Sequence, residues 1–314
     1  MSRLAPVALV VNPAATRASR TVRAEVARAL SPLGLEWSLV TSGPGDAARL
    51  AREAADEGAA VVVSLGGDGV AGEVAGALAG GPVAMAPLPA GNANVFSRGL
   101  GWPNSTRAAL PLLAAGLRER RLRDAGLGLL RIGGPEGGER VFAVNAGVGL
   151  DAATVEWIEA RPRTKRRLRQ AGFVLGAGIA AVRSGRAPHL RAVVDGGEVV
   201  LARAVLTACG TPYTYLGRRP LELVPGAGFD GRMAWVGLTR MHPAELARLG
   251  LRAVRGRDLP VGSPTLAGGP ILRELVIESD APAPVQADGE PLGRHLELRV
   301  SRGPVLRAID PRAG

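Results

Sequence analysis

One stretch of the chain, residues 61–72, constrains the fold more than any other. It reads VVVSLGGDGVAG, in which three valines and a leucine predict a short buried strand and helical spacing begins at Val70. Gly66, Gly67 and Gly69 lie at the junction, where the absence of a Cβ atom lets backbone N–H groups approach a ligand and adopt positive φ. Because a helix N-terminus also favours anions, this stretch predicts a phosphate-binding turn.

Asp68 places a carboxylate in the middle of the predicted phosphate-binding turn. A carboxylate beside phosphate groups is repulsive unless a cation lies between them, so this aspartate predicts Mg²⁺, bound directly or through water. An ordinary glycine-rich turn between a strand and a helix is the alternative interpretation. Three glycines around one aspartate favour the phosphate site over that alternative.

A dinucleotide-binding fold is a second alternative, since Gly67, Gly69 and Gly72 match the spacing G-x-G-x-x-G. That fold needs an acidic residue about twenty positions further on, where it binds a ribose hydroxyl. No aspartate or glutamate occurs between Glu73 and Glu119, and the fingerprint follows the third predicted strand instead of the first. The sequence therefore disfavours a dehydrogenase.

Lysine is almost absent from the chain, and this argues against two large classes of phosphotransferase. Lys165 is the only lysine. A P-loop needs a lysine directly after its glycines, and a protein kinase needs one on a strand. Since Lys165 has neither setting, the sequence indicates neither a P-loop NTPase nor a protein kinase.

The formal net charge of +11 predicts an anionic partner, which is a nucleic acid, a membrane surface or an anionic substrate. Aromatic residues make up 3% of the chain, too few for a base-stacking surface, so no nucleic-acid partner is expected. Cys209 is the only cysteine, which excludes a disulfide within the chain and a cysteine-rich metal site. With no recognisable signal peptide or membrane span, we expect a cytoplasmic protein, with peripheral membrane association left open.

Strands alternate with helices in the first 124 residues, which predicts an N-terminal α/β domain with a doubly wound parallel sheet. The strands are predicted at Val7–Val11, Leu35–Thr41, residues 61–65 and Val83–Leu88. Each ends in a polar or glycine-rich turn, and these turns contain Asn12, Thr41, Gly67–Gly69 and Asn92. Because the carboxyl ends of parallel strands share one edge of a sheet, we expect these turns to line one crevice.

The pattern changes after residue 124, where strand-like runs are separated by glycine, proline and Asp-Gly pairs. The predicted strands are Leu127–Ile132, Val141–Asn145, Leu190–Asp195, Val199–Ala208, Met233–Leu238, Leu272–Glu278 and Leu296–Val300. The predicted helices are Ala152–Ala160, Arg166–Arg183 and Pro243–Val254. This pattern predicts a β-rich, antiparallel, sandwich-like second domain at residues 125–300, and we expect the two domains to face each other directly.

A basic run in the second half has two interpretations. It contains Arg161, Arg163, Lys165, Arg166, Arg167 and Arg169, and the apolar stretch Ala171–Val182 follows it. Basic residues beside an apolar helix suit the surface of an anionic membrane. A solvated basic face that leads into a buried helix explains the same residues.

Asp288-Gly289-Glu290 places two carboxylates across a glycine late in the chain. Such a pair can supply a general base. An ordinary Asp-Gly turn is the alternative, since Asp195-Gly196 and Asp230-Gly231 also occur. Spacing alone does not decide between the two.

Five segments, taken in chain order, carry a family resemblance. They are Val10-Val11-Asn12-Pro13, Gly66-Gly67-Asp68-Gly69, the run PAGNANVFSR at 89–98, the run NAGVGLD at 145–151 and Asp288-Gly289-Glu290. Together they resemble the diacylglycerol kinase catalytic-domain family, which includes sphingosine kinases and soluble bacterial lipid kinases. The resemblance covers nearly the whole chain.

The resemblance implies an NAD-kinase/diacylglycerol-kinase-like fold in which ATP binds in the cleft and residues 301–314 return to the first domain. It implies an ATP site made of Asn12, Pro13, Arg17, Thr41, Gly66, Gly67, Asp68, Gly69, Val70, Gly72, Glu73, Gly91, Asn92 and Asn94. It also implies that Glu290, with Asp288 beside it, takes the proton from a lipid hydroxyl. A structural Mg²⁺ in the second domain would be held by Asp230 and by the backbone carbonyls of Ala227 and Arg232.

The expected protein is therefore an ATP- and Mg²⁺-dependent lipid kinase that acts on a lipid such as diacylglycerol at an anionic membrane surface. Val70 and Asn92 stand where the family has threonine, so a catalytically silent lipid- or nucleotide-binding protein stays an alternative. A soluble kinase of the NAD-kinase type is a further alternative, although its Asn-Glu pair does not occur in this chain. The lipid acted on and the oligomeric state, a homodimer included, stay open.

Overall fold

The computed structural model describes residues 4–134, 137–159 and 188–312. The chain divides into two compact units, the first made of Met1–Ala125 and Pro304–Gly314 and the second of Gly126–Gly303. The basic run at 161–169, the apolar stretch at 171–182 and the helix predicted at 166–183 lie outside the described residues. Helices and strands are numbered in chain order.

The first unit begins with a parallel sheet and its helices. Its elements are β1 (Val7–Val11), α1 (Arg20–Leu30), a 3₁₀ turn (Ser31–Leu33), β2 (Leu35–Val40), α2 (Asp46–Asp56), β3 (Val61–Gly66), α3 (Asp68–Leu78), β4 (Ala84–Pro89), α4 (Val95–Gly99) and α5 (Thr106–Glu119). Every residue of β1, β3 and β4 is buried, as expected for central strands of a parallel sheet with helices on both faces. β2 alternates between half-buried and exposed residues and lies at the sheet edge.

The strand order within this unit is β2-β1-β3-β4, and these strands are parallel. The chain leaves β1 toward one side and then crosses back to β3, so the topological switch point lies between β1 and β3. The register places Val11 opposite both Val40 and Leu65, and Gly66 opposite Pro89. The carboxyl ends of the four strands therefore lie in line, and the turns that follow them share one edge.

The last strand of the chain, β16 (Glu290–Ile309), ends in the first unit. Ala308 pairs in parallel with Met85 of β4. The backbone N–H of Gly80 donates to the carbonyl of Val305 at 2.8 Å. The C-terminal segment thus adds a further parallel strand beside β4.

The second unit is rich in antiparallel strands. Its elements are β5 (Leu122–Ile132), β6 (Gly138–Phe142), β7 (Asn145–Gly149), α6 (Leu150–Glu159), β8 (Leu190–Val194), β9 (Val199–Ala202), β10 (Ala204–Ala208), β11 (Thr214–Leu216), β12 (Arg219–Leu221), β13 (Met233–Leu238), α7 (Pro243–Val254), β14 (Leu266–Ile271), β15 (Glu274–Ala287) and the first part of β16. One path of strands runs β14-β13-β10-β7-β15-β16, while β8 and β9 extend from the first half of β15, and β5 and β6 from β16. The β15–β16 hairpin joins the strands of this path to β5, β6, β8 and β9. One apolar core contains side chains from the path and from these four strands.

The structure confirms the predicted fold class, a parallel α/β domain followed by a β-rich antiparallel domain. The single strand predicted at Val199–Ala208 is wrong, because β9 ends at Ala202 and β10 begins at Ala204. β9 pairs with β8, whereas β10 pairs with β7 and β13, so the chain changes partner strands at Arg203. No helix among the described residues is long and apolar enough to span a membrane.

Candidate active site

The predicted phosphate-binding turn lies at the switch point, between the end of β3 and the start of α3. Gly67 precedes α3, and no side chain caps this end of the helix. Gly67 has no side chain with which to cap the first backbone N–H groups of α3, and these groups stand at the carboxyl edge of the sheet. Because the N-terminus of a helix carries a partial positive charge, this edge is suited to an anion.

Close packing explains the glycines of this turn. A Cβ atom on Gly66 would lie 2.8 Å from the Cβ of Val70. We call the turn at Gly66–Gly67 the first loop and residues 90–94, between β4 and α4, the second loop. A Cβ atom on Gly91 would lie 2.6 Å from the Cα of Gly67, so the backbones of the two loops touch and leave no room for a side chain at Gly91. The expectation of positive φ is wrong, since φ is −93° at Gly67 and is not positive at Gly66 or Gly69.

The carboxylate of Asp68 links the two glycine loops. Its Oδ1 accepts a hydrogen bond from the backbone N–H of Phe96 in α4 at 3.0 Å. Beside this contact, the N–H of Ala90 donates to the carbonyl of Gly66 at 2.7 Å. Asp68 therefore fixes the second loop against the first, a structural contact that its sequence position did not predict.

A network of amide side chains holds the second loop. Asn94 is buried with a positive φ of 51°, and its Oδ1 accepts from the N–H of Gly91 at 2.8 Å. Its Nδ2 donates to the carbonyl of Gly91 at 3.0 Å and to Oδ1 of Asn104 at 2.7 Å. Arg17 joins the same loop, since its N–H donates to the carbonyl of Ala90 at 2.8 Å and its Nη1 to Oδ1 of Asn104 at 3.2 Å.

Asn104 is a member of this site that the sequence analysis missed. It stands just before the N-terminal cap of α5, which begins at Thr106 and is capped by Ser105. The Oγ of Ser105 accepts from the N–H of Ala108 at 3.4 Å. The side chain of Asn104 is thereby left to bind the second loop, a contact that no local sequence pattern signals.

Asn12 and Pro13 follow β1 as the sequence predicts, and Thr41 directly follows β2, which ends one residue earlier than the predicted strand Leu35–Thr41. The Oδ1 of Asn12 accepts from the backbone N–H two residues further on at 2.8 Å, which fixes the turn. Thr41 is buried, and its N–H donates to the carbonyl of Val11 at 2.9 Å. Asn92 is exposed in the loop after β4. These residues lie at one edge of the sheet, and their binding of ATP stays a prediction.

Glu73 reaches from α3 to the N-terminus of α2. Its Oε1 accepts from the N–H of Gly45 at 3.0 Å, and its Oε2 accepts from those of Ala47 and Ala48 at 3.0 and 3.4 Å. Gly45 offers α2 no side-chain cap, so Glu73 supplies the acceptors from another helix. This capping contact is a finding, whereas the roles of Glu73 and of Gly72 in ATP binding stay predictions.

The Asp288-Gly289 turn forms the tip of the β15–β16 hairpin in the second unit. Asp288 and Gly289 have φ of 50° and 80°, the pair of left-handed residues that a type I′ turn requires. The carboxylate of Asp288 accepts from the N–H groups of Ala143, Val144 and Asn145 at 2.5, 2.8 and 3.1 Å. Desolvation raises the pKa of Asp288, and these three hydrogen bonds oppose the rise.

Glu290 is placed differently from Asp288. Its side chain is 41% exposed and forms an ion pair with the guanidinium of Arg140 in β6. Asp288 is thus engaged by backbone amides, while the carboxylate of Glu290 is reachable from solvent. The exposed carboxylate is therefore the better candidate to receive a proton from an alcohol.

Gln286 joins the hairpin turn to α6, and the sequence analysis missed it. It is buried, and its Oε1 accepts from the N–H of Gly289 at 2.8 Å. Its Nε2 donates to Oδ1 of Asn145 at 3.0 Å and to Oδ2 of Asp151 at 2.6 Å. The hydroxyl of Tyr213 donates to the other oxygen of Asp151 at 2.5 Å. The only sequence signal is a polar residue within the apolar end of β15.

We expect Gln286→Leu to lower the free energy of unfolding by about 2–5 kcal/mol. Leucine has a similar volume, but it leaves the N–H of Gly289 and the side-chain oxygens of Asn145 and Asp151 without this partner. Urea denaturation measures the change. Tyr213→Phe removes a single donor and serves as the control, with an expected cost of about 1 kcal/mol. Equal costs for the two variants would contradict a central place for Gln286.

Stability should also depend on pH through Asp151. Desolvation raises its pKa above 3.8 despite the hydrogen bonds from Tyr213 and Gln286. The folded chain therefore holds this proton more tightly than the unfolded chain, so the stability it contributes is present below about pH 4 and is lost as pH rises through the raised pKa. As pH rises from about pH 4 through the raised pKa, the free energy of unfolding of Asp151→Asn should therefore gain on that of the native chain. A difference that does not change with pH would rule this out.

The carboxylate of the Mg²⁺ site predicted in the second unit is engaged by a neighbouring arginine. Nε of Arg232 donates to both carboxylate oxygens of Asp230, at 3.0 and 2.9 Å. The guanidinium thus engages the only anionic ligand of the predicted set, and Mg²⁺ binding by Asp230 with the carbonyls of Ala227 and Arg232 stays a prediction. Across the described residues, no three His, Cys, Asp or Glu side chains cluster in a way that suits a metal ion.

Comparison with known proteins gives a family match over the first unit. Residues 6–123 match the family model described as the diacylglycerol kinase catalytic domain. The chain is 46% identical over 81 residues to a protein of Cronobacter sakazakii, and 47% identical over 95 residues to one of Pseudomonas aeruginosa, both named "Probable lipid kinase YegS-like". These alignments cover 24% and 29% of this chain, and they span only 27% and 31% of the two relatives.

Solved structures extend the likeness of fold to both units. A crystal structure of a diacylglycerol kinase from Bacillus anthracis str. Sterne has a TM-score of 0.69 at 20% identity, covering 97% of this chain and 96% of that chain. Yeast NADH kinase complexed with NADH has a TM-score of 0.54 at 12% identity, covering 97% of this chain and 84% of that chain. At these identities the likeness concerns the fold alone.

Proposed function

We propose that the chain is a lipid kinase of the diacylglycerol kinase catalytic-domain family, because residues 6–123 match that family's model and the relatives aligned with this part are named as probable lipid kinases. It transfers the γ-phosphate of ATP to the hydroxyl of a membrane lipid such as diacylglycerol. The observation that carries the proposal is the contact between the Gly67 and Gly91 loops at the uncapped N-terminus of α3. Two touching glycine backbones beside a helix N-terminus suit a run of phosphate groups.

The first unit binds the nucleotide in this proposal. The N–H groups at the start of α3 hold phosphate oxygens, and Arg17, anchored through Asn104, adds a positive charge to the second loop. Asp68 fits Mg²⁺, because that ion is commonly bound by one or two carboxylates together with phosphate oxygens and water. When bound, Mg²⁺ would neutralise negative charge on the triphosphate.

The second unit supplies the base. Glu290 takes the proton of the lipid hydroxyl as its oxygen forms a bond to the γ-phosphorus and the bond from that phosphorus to the ADP oxygen breaks. Arg140 holds the Glu290 side chain through its ion pair. Asp288 is a positioning residue, since its carboxylate ties the hairpin turn to three backbone N–H groups of the 143–145 segment.

Transfer of label from γ-³²P-ATP with Mg²⁺ tests the proposal. The acceptors are diacylglycerol, sphingosine, phosphatidylglycerol and a polyprenol in detergent micelles, with NAD as a soluble acceptor. Label on one of the lipids is the expected result and identifies the substrate. Label on NAD alone would replace the proposal by an NAD-kinase-type activity. Tight ATP binding with no labelled acceptor would replace it by a silent binding protein, the alternative that Val70 and Asn92 keep open.

A further inference from the structure

Helix α7 (Pro243–Val254) has a buried face and an apolar exposed face. Leu246 and Leu249 pack against an apolar cluster formed by residues of β10, β13 and β14. On the opposite face, Leu251 is 49% exposed and Val254 is 39% exposed. Because residues three apart share a helix face, these two side chains form one apolar stripe away from the core.

The exposed face of α7 is also basic. Arg248 and Arg255 lie one turn to either side of Leu251, and Arg240 and Arg257 lie just beyond the two ends of the helix. All four arginines are exposed. Among the ion pairs of the described residues, none involves these four side chains. Their charge is thus available to an external anion.

The acidic residue of α7 does not neutralise this face. Glu245 lies on the core side, where its Oε2 accepts from Oγ1 of Thr265 at 2.9 Å. Arg252 is engaged too, since its Nε and Nη2 donate to the backbone carbonyl of Asp258 at 3.0 and 2.7 Å. What remains outward is the apolar stripe with arginines beside it.

We propose that this outward face, defined by Ala247, Arg248, Leu251, Val254 and Arg255, docks the second unit on an anionic membrane. The guanidinium groups bind lipid phosphates, and the leucine and valine side chains enter the boundary between headgroups and acyl chains. This charge complementarity distinguishes a bilayer from other occupants. A second copy of the face would oppose like charges, and a nucleic acid would leave the apolar stripe uncovered.

The role of this docking surface rests on the proposed function, because membrane binding brings the enzyme to the place where a lipid substrate lies. Vesicle binding itself requires no phosphoryl transfer. A chain without kinase activity that still binds vesicles through α7 would overturn the proposed function and leave the docking surface intact. An active kinase whose vesicle binding does not involve α7 would do the reverse.

Co-sedimentation with vesicles of phosphatidylcholine containing about one-third phosphatidylglycerol tests the docking surface. Arg248→Glu/Arg255→Glu should lower the partition coefficient about 30-fold, at about fivefold for each arginine lost. Leu251→Ser/Val254→Ser should lower it about tenfold. Both variants should retain native activity on diacylglycerol in detergent micelles and lose activity on vesicles.

Matched control variants test whether vesicle binding depends on this face of α7, and not on net charge or on exposed apolar side chains in general. Arg28→Glu/Arg52→Glu changes net charge equally at two exposed arginines of the first unit, and Val199→Ser/Leu201→Ser removes side chains that are 41% and 67% exposed on β9. Both should bind vesicles like the native chain. The proposal would be overturned if the control variants lost vesicle binding equally, or if both α7 variants bound vesicles like the native chain. A dimer that dissociates when Leu251 and Val254 are replaced with serine would also overturn it.

Discussion

Replacing Glu290 with glutamine is expected to lower the rate of lipid phosphorylation by about 10²–10⁴-fold, the usual contribution of a general base. Glutamine keeps the size of the side chain and an acceptor for Arg140, but it cannot take up the proton. Since Glu290 is 41% exposed, the free energy of unfolding should change by about 1 kcal/mol or less. The dissociation constant for ATP, measured by calorimetry, should stay at its native value because the residue lies in the second unit.

Glu297→Gln is the matched control for this prediction. Glu297 lies on the same strand, its side chain is 45% exposed, and it forms an ion pair with Arg299 at 3.1 Å. The two substitutions therefore remove the same charge and a comparable ion pair, and Glu297→Gln should leave turnover near the native rate. The assignment of Glu290 as the base fails if both variants lose the same activity, or if neither does.

The second large effect is expected at Asp68, where two substitutions separate two roles. Asp68→Asn keeps an oxygen that accepts from the N–H of Phe96, but removes the charge. It should raise the Mg²⁺ concentration for half-maximal turnover about 10–100-fold with little change in stability. Asp68→Ala also removes the acceptor, so it should lower the free energy of unfolding by a further amount of about 1–3 kcal/mol.

Asp195→Asn provides the control for the Asp68 substitutions. The carboxylate of Asp195 in the second unit also accepts backbone hydrogen bonds, from Leu272, Arg273 and Glu274 at 3.0, 2.6 and 3.0 Å. Its replacement should leave the dependence of turnover on Mg²⁺ unchanged. If Asp68→Asn also left that dependence unchanged, the role of Asp68 in binding Mg²⁺ would be wrong.

Local patterns were enough to predict the edge at which the first-unit residues gather. Apolar runs define β1 to β4, and a polar or glycine-rich turn follows each of them directly. In a parallel sheet this order alone brings Asn12, Thr41 and Gly67 to one edge, which the register of Val11 with Val40 and Leu65 shows. The prediction succeeded because it depended on neighbours in sequence and on one rule of topology.

Residues whose roles depend on distant partners were not predictable. Gln286 binds Asp151 across 135 positions, and Asn104 binds Asn94, whose side chain also accepts a hydrogen bond from the N–H of Gly91. Such contacts require the positions of several elements at once. A single sequence contains no spacing that identifies them.

The predicted strand ends were wrong where the chain changes its partner strands without a turn residue between them. An apolar run crosses Arg203 from β9 to β10, and it looks like one strand because both halves are apolar. Similarly, the strand predicted at Leu296–Val300 is part of β16, a strand of 20 residues that begins in the second unit and ends in the first. Pairing partners, which hydropathy does not encode, set these limits.

The most direct measurement is the transfer of label from γ-³²P-ATP with Mg²⁺ to the total lipid extract of the source organism, by the native chain and by Glu290→Gln in parallel. A lipid kinase with Glu290 as its base predicts a labelled lipid with the native chain and loss of that label by about 10²–10⁴-fold in the variant. No labelled lipid with a native chain that binds ATP would contradict the lipid-kinase proposal. Equal labelling by both chains would retain the kinase and contradict the assignment of its base.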